Sequence, residues 1–248
     1  MLKNRLCYSD KVLHGTLAFI GLYLVQALAG KSGWAAADLF SYASFDPDHL
    51  FARLSVHHIV QMLIGLAVIG VLSRFTKADF GFGLGDGKNG LRYFLIFTAV
   101  IATIALIYHI LIYALCQAQV YDFPLTPNNV LGTLGFQLFL SGPSEEILYR
   151  ALPVTVLVYV FGKSIPIKGD ITWEVVLASF LFSVAHIRWS IFPFSMAFNL
   201  FQLFYAFAMG TVNGIVYQQS RSILYPMLMH SISNVLMVGS GYLFFMLL

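Results

Sequence analysis

The placement of charge constrains this chain more than any other feature. Asp, Glu, Lys and Arg are missing altogether from 12–30, 54–73, 93–121, 123–144, 189–220 and 222–248. Each run matches or exceeds the roughly 20 apolar residues that a helix needs to cross a bilayer. Two shorter neutral runs, 151–162 and 175–187, reach that length only by taking in charged neighbours. Counting both gives eight spans. Soluble domains carry about 25% charged residues, and this chain has 10%, with 59% hydrophobic, which excludes an ordinary soluble fold. A membrane β-barrel needs strands that alternate apolar and polar residues, and stretches such as 94–101 do not alternate. The expected fold is therefore all-α: a polytopic membrane bundle of about eight transmembrane helices, a single membrane domain over 1–248 with no internal repeat.

Cytoplasmic loops hold an excess of Lys and Arg. Lys3, Arg5 and Lys11 precede the first run, and Arg74, Lys77, Lys88 and Arg92 follow the second, whereas 117–129 has no basic residue. This predicts a cytoplasmic N-terminus in a multi-pass protein of the inner or plasma membrane. The apolar stretch ending at Ala27-Leu28-Ala29 has the look of a secretory cleavage site, and is read as a retained first span. Lys163 and Lys168 fall inside if 151–162 is a short re-entrant helix and outside if it spans. Residues 30–55 read as an interfacial loop with a short amphipathic helix.

Several functions drop out. The net charge is only +3, and no basic cluster is interleaved with aromatics, so nucleic acid is not an expected partner. Gly85 to Gly90 is formally GxGxxG, but it follows a membrane helix rather than a strand and fails as a nucleotide loop. Cys7 and Cys116 lack CxxC spacing and suggest neither a disulfide framework nor a cysteine metal site.

The acids carry the functional signal. Two of the three glutamates, Glu145 and Glu146, adjoin a neutral run, with Arg150 four residues after the second. Each charge at a helix centre costs about 2.5–3.5 kcal/mol on insertion scales, so all three must face protein or a wet cavity. Glu146 and Arg150 are i and i+4, in the favourable order for an ion pair. Glu145 lies about 100° round the helix without a local cation. Downstream, Phe182 to His186 ends a neutral run, and His230 and Asn234 share one helical face. His14, His57, His58 and His109 are read as hydrogen-bonding residues of the bundle. A carboxylate and an imidazole can orient and deprotonate water; an imidazole and a carboxamide can donate to an oxyanion. Glu145, His186 and His230 would also make a His₂Glu set like that of a catalytic zinc site, although no HExxH is present. A transporter with buried charges is a further reading, against which the lack of a two-fold repeat counts.

The order EExxxR, FxxxH, HxxxN resembles the CPBP family, the CAAX proteases and bacteriocin-processing enzymes, described as glutamate-dependent intramembrane proteases. Here it reads Glu145-Glu146-Ile147-Leu148-Tyr149-Arg150, Phe182 to His186, and His230 to Asn234, all within 130–248. Tyr149 stands where the family often has Phe, and Ala151 where Gly is common. The resemblance implies an eight-helix peptidase without cofactor or metal, acting on a membrane-associated, lipidated, leader or sorting-tail peptide. It implies that Glu145 with His186 activates water, that His230 with Asn234 stabilises the oxyanion, and that Glu146 and Arg150 support them. Some relatives act as scaffolds, so a catalytically silent membrane scaffold is an alternative. A polar cavity among the helices carrying 145, 186 and 230, open to the cytoplasm, is expected.

Overall fold

The computed structural model describes residues 8–117, 120–190 and 192–247; Lys3, Arg5 and Cys7 lie outside the described residues. The neutral runs become helices α1 (Tyr8–Ala37), α2 (Ala52–Thr76) and α3 (Gly87–Ala114) in the first half. In the second half stand α4 (Pro127–Phe136), α5 (Gly142–Glu146), α6 (Leu152–Phe161), α7 (Trp173–Val184), α8 (Leu200–Ser220) and α9 (Leu224–Met246). Two hairpins of short strands, β1 (Pro166–Lys168) with β2 (Ile171–Thr172) and β3 (Arg188–Ser190) with β4 (Ser195–Ala197), flank α7. Among the described residues five helices, α1, α2, α3, α8 and α9, are long and apolar enough to cross a membrane. The molecule is an integral, multi-pass membrane protein. Its outward faces are apolar, as on α3 with Leu95, Val100, Ile104 and Leu111 exposed, while Glu146, Arg150 and Glu174 are fully buried.

The segments 123–144 and 151–162, expected as two spans, are one helical path from 127 to 161. The π-turns Gln137–Ser141 and Ile147–Ala151 join α4, α5 and α6 into this rod, and the junction residues Gln137, Gly142, Ile147 and Leu152 all keep right-handed helical dihedrals. The reason is local. Pro143 and Pro153 have no N–H to give to the preceding turn, and each follows a π-turn whose wider loop absorbs the missing bond. Gln26 of α1 donates to the carbonyl of Leu148, inside the second π-turn, at 3.0 Å.

Glycines set the closest helix contacts. A Cβ at Gly142 would meet Ser231 Oγ and lie 2.8 Å from the Met227 carbonyl, so the rod and α9 touch backbone to backbone. Gly210 and Gly214 lie on one face of α8 against Ser179 and Val175 of α7, the small-xxx-small packing of membrane helices.

The loops divide the charges. At one end, Asp86 N–H donates to Ser220 O, Ile223 N–H to Gly81 O, and Gln219 to Asp170. This gathers the loops that hold Lys77, Lys163, Lys168 and Arg221. Asp86 caps α3, and the Asn89 N–H bonded to it holds its carboxyl below the usual range. At the other end, Asn129 donates to Asp48 and Asn128 to Phe45 O, joining loop 38–51 to the first turn of α4. That loop contains no helix, contrary to expectation: the carboxylate of Asp46 takes the N–H groups of Leu50, Phe51 and Ala52 and starts α2 instead.

Candidate active site

Glu145 and Glu146 occupy the single α-helical turn between the two π-turns, midway along the rod. Glu146 is the buried hub. Its Oε1 accepts from His230 Nδ1 at 2.7 Å and from Asn213 Nδ2 at 3.0 Å, and its Oε2 lies 3.3 Å from Arg150 Nε. Arg150 is wholly buried, with its guanidinium 4.1 Å above the Phe182 ring. The i, i+4 pairing read from the sequence is present.

Glu145 is the carboxylate that water can reach: its side chain is 19% exposed and that of Glu146 is 0%. Its Oε1 is 3.1 Å from His58 Nε2 and its Oε2 is 3.7 Å from His230 Nε2. The second distance is beyond a hydrogen bond, and because Glu146 can only accept, His230 carries a hydrogen on Nδ1 and donates from Nε2 only as the doubly protonated ring. His230 therefore lies between the two acids, gripped by Glu146 and facing Glu145.

His58 Nδ1 lies 2.9 Å from the Leu54 carbonyl, which can only accept, so that nitrogen carries a hydrogen. The contact between Nε2 and Glu145 then needs one further proton, on ring or carboxyl, because two bare acceptors at 3.1 Å repel. The same logic places a hydrogen on His186 Nδ1, 2.8 Å from Phe182 O. In the neutral ring this leaves Nε2 a free acceptor. His186 stands edge-on to Phe182 and makes no hydrogen bond to Glu145. The direct imidazole partner of Glu145 is thus His58 of α2 rather than His186, because α7 stops at Val184 and His186 is tied back to its own last turn.

Asn234 is also placed differently from expectation. Its amide donates to Gln137 Oε1 at 2.9 Å and to Ser141 Oγ at 3.1 Å, both in the first π-turn. At rest it braces α9 on the rod. Among the described residues no three His, Cys, Asp or Glu side chains are grouped so as to hold a metal ion.

Residues 126–236 match the family model described as Rce1-like, type II CAAX prenyl endopeptidase. The matched stretch, a little under half of the chain, holds the rod from its first turn, α7, α8 and the site half of α9. The family it describes is one of membrane proteases. No curated protein matches the chain, and no solved structure matches it. His58 lies outside the matched stretch, and sequence reasoning missed it along with Asn213. The signal was present: a His-His pair and an Asn inside neutral runs, where each polar group must find a partner.

A cavity of about 620 Å³ adjoins the site. It is lined by Gln26, Lys31 and Trp34 of α1, His57 and Gln61 of α2, Tyr149 of the rod, Leu181 and Val184 of α7, Ala185, and Ile187, Arg188, Trp189 and Ser190 beyond it. It exists because α7, at 12 residues, ends before its neighbours do. It lies toward the end where Asp38, Asp46 and Asp48 sit, not the basic end, and α9 does not line it.

Proposed function

We propose that the chain is an intramembrane endopeptidase in which Glu145 is the general base. The observation that carries this reading is the division of labour between adjacent acids. Glu146 is neutralised by Arg150 and His230 in a dry pocket, while Glu145 is left to water with imidazoles on two sides. In the proposed step Glu145 takes a proton from water, with the free Nε2 of His186 accepting the other hydrogen, and the water oxygen attacks the peptide carbonyl. Negative charge on the carbonyl oxygen turns to His230, whose Nε2 donates when the ring, held at Nδ1 by Glu146, carries both protons. Glu145 then returns its proton to the leaving nitrogen. The substrate is a peptide held at or in the bilayer; the match to a CAAX prenyl endopeptidase family supports a tail near a lipid anchor.

Orientation follows from the charge split. The end that gathers Lys77, Lys163, Lys168 and Arg221 is cytoplasmic by the positive-inside rule, which puts the N-terminus there too, in an inner or plasma membrane.

The test compares two variants of purified protein on a fluorogenic peptide anchored in vesicles, with thermal unfolding alongside. Glu145→Gln should retain its melting temperature and lose about 10²–10⁴-fold in turnover, since an amide cannot accept the proton. Glu146→Gln should lose about 3–5 kcal/mol of stability, because Arg150 stays buried without its counter-charge. A fully active Glu145→Gln protein would refute Glu145 as the base, and absence of cleavage by the unsubstituted protein would leave a binding scaffold.

A further inference from the structure

Around Glu146 the buried hydrogen bonds are incomplete. The Oε2 of Glu146, the three guanidinium nitrogens of Arg150 and the Oδ1 of Asn213 are all buried without a hydrogen-bond partner. Buried polar groups are nearly always paired, so five such atoms on three side chains linked through Glu146 need a reason. The direct way to pair most of them is for the carboxylate to close on the guanidinium, since arginine and carboxylate favour two parallel hydrogen bonds. Here the groups stand 3.3 Å apart through Nε and Oε2 with no hydrogen bond formed, and the guanidinium rests on the Phe182 ring.

What holds the carboxylate back acts on its other oxygen. Oε1 accepts from two further helices at once, from Asn213 of α8 at 3.0 Å and from His230 of α9 at 2.7 Å. One contact at Oε1 would leave the carboxylate free to swing toward Arg150; a second, from a different helix, fixes its plane. The Asn213 amide has only one useful orientation, because turning it round would set its oxygen against a carboxylate oxygen. At 1% exposure no water can take its place. We infer that Asn213 is a positioning residue that holds Glu146 on His230 against the pull of Arg150. The unpaired guanidinium is then the consequence of a carboxylate aimed at an imidazole. The effect on the reaction rests on the peptidase reading, in which His230 keeps its Nδ1 proton so as to donate from Nε2, but the hold itself can be measured without turnover.

The experiment compares the full chain with Asn213→Ala and Asn213→Val, one smaller than asparagine and one larger, neither with a polar side-chain atom. In detergent, each protein is melted, and the Nδ1–H proton resonance of His230 is recorded by NMR, assigned by its absence in His230→Gln. Cleavage of the vesicle-anchored fluorogenic peptide is measured alongside. In the parent, the short contact with a carboxylate places that resonance far downfield. Both variants should move it upfield as Glu146 turns to Arg150, and kcat should fall about tenfold or more with KM kept within about twofold. The melting temperature should hold or rise in the better-packed of the two, since Arg150 gains hydrogen bonds that it lacks; a residue that served packing alone would lower it in both. Absence of a downfield resonance in the parent, an unmoved resonance in both variants, a melting temperature that falls in both, or a moved resonance with full kcat would each overturn the inference. No cleavage by the parent, with the resonance moved as described, would refute the peptidase and leave the hold on Glu146 standing.

Discussion

At the residue scale, the most informative contact is the one between His58 and Glu145. Because Leu54 O fixes a hydrogen on Nδ1, His58 can face a carboxylate only while one more proton sits between them. A donor held on Glu145 keeps it oriented toward water. His58→Gln supplies a donor that does not depend on protonation, and His58→Phe supplies none. A hydrogen bond to a charged group is worth about 1.5–3 kcal/mol, so the Phe variant should lose roughly tenfold or more in kcat while the Gln variant stays within about threefold. Equal losses in both would rule the hydrogen bond out as the cause. The Glu146–Arg150 pair was legible in the sequence because i, i+4 geometry is local. His58 and Asn213 were not, since their partners lie 87 and 67 residues away and no local rule reports a contact of that separation.

Among the elements, the rod is where the sequence reading and the structure part company. In the sequence the charges at 145, 146 and 150 mark a boundary between two spans, yet Arg150, His230 and Asn213 partner Glu146 inside the bundle, so charge does not mark an end here. The prolines misled for a related reason: each follows a π-turn instead of breaking the helix. Six of the eight expected segments correspond to separate helices because their apolar runs are bounded by loops, which a hydropathy reading can see. What brings His230 to Glu146 is the close approach at Gly142. Gly142→Ala would press a methyl into Ser231 and the Met227 backbone, forcing α9 away from the rod. Overpacking of this kind costs about 1–3 kcal/mol, and the 2.7 Å contact of His230 with Glu146 should open. Turnover should therefore fall by more than the melting temperature would suggest. A variant with native activity would show that this approach does not set the site.

For the whole molecule, the cavity lies at the end remote from the basic loops, so under the orientation proposed above it opens opposite the cytoplasm, where the sequence reading expects it open to the cytoplasmic side. Cys116 provides a direct check, since it is free and exposed just beyond α3, at the end remote from the basic loops. In intact cells carrying Cys7→Ser, a membrane-impermeant maleimide should label it; labelling only after lysis would invert the molecule. The shortness of α7 has a further effect, on the lipid. Twelve residues of helix rise about 18 Å, against a hydrocarbon core near 30 Å, so the leaflet beside the hairpin has no full-length wall to match. Thinning there shortens the path from headgroups to Glu145. Acyl-chain length then becomes a control on rate: in vesicles of increasing lipid length, kcat/KM should decline steadily while the protein's melting temperature changes little, and a rate indifferent to lipid length would show that no such thinning is used.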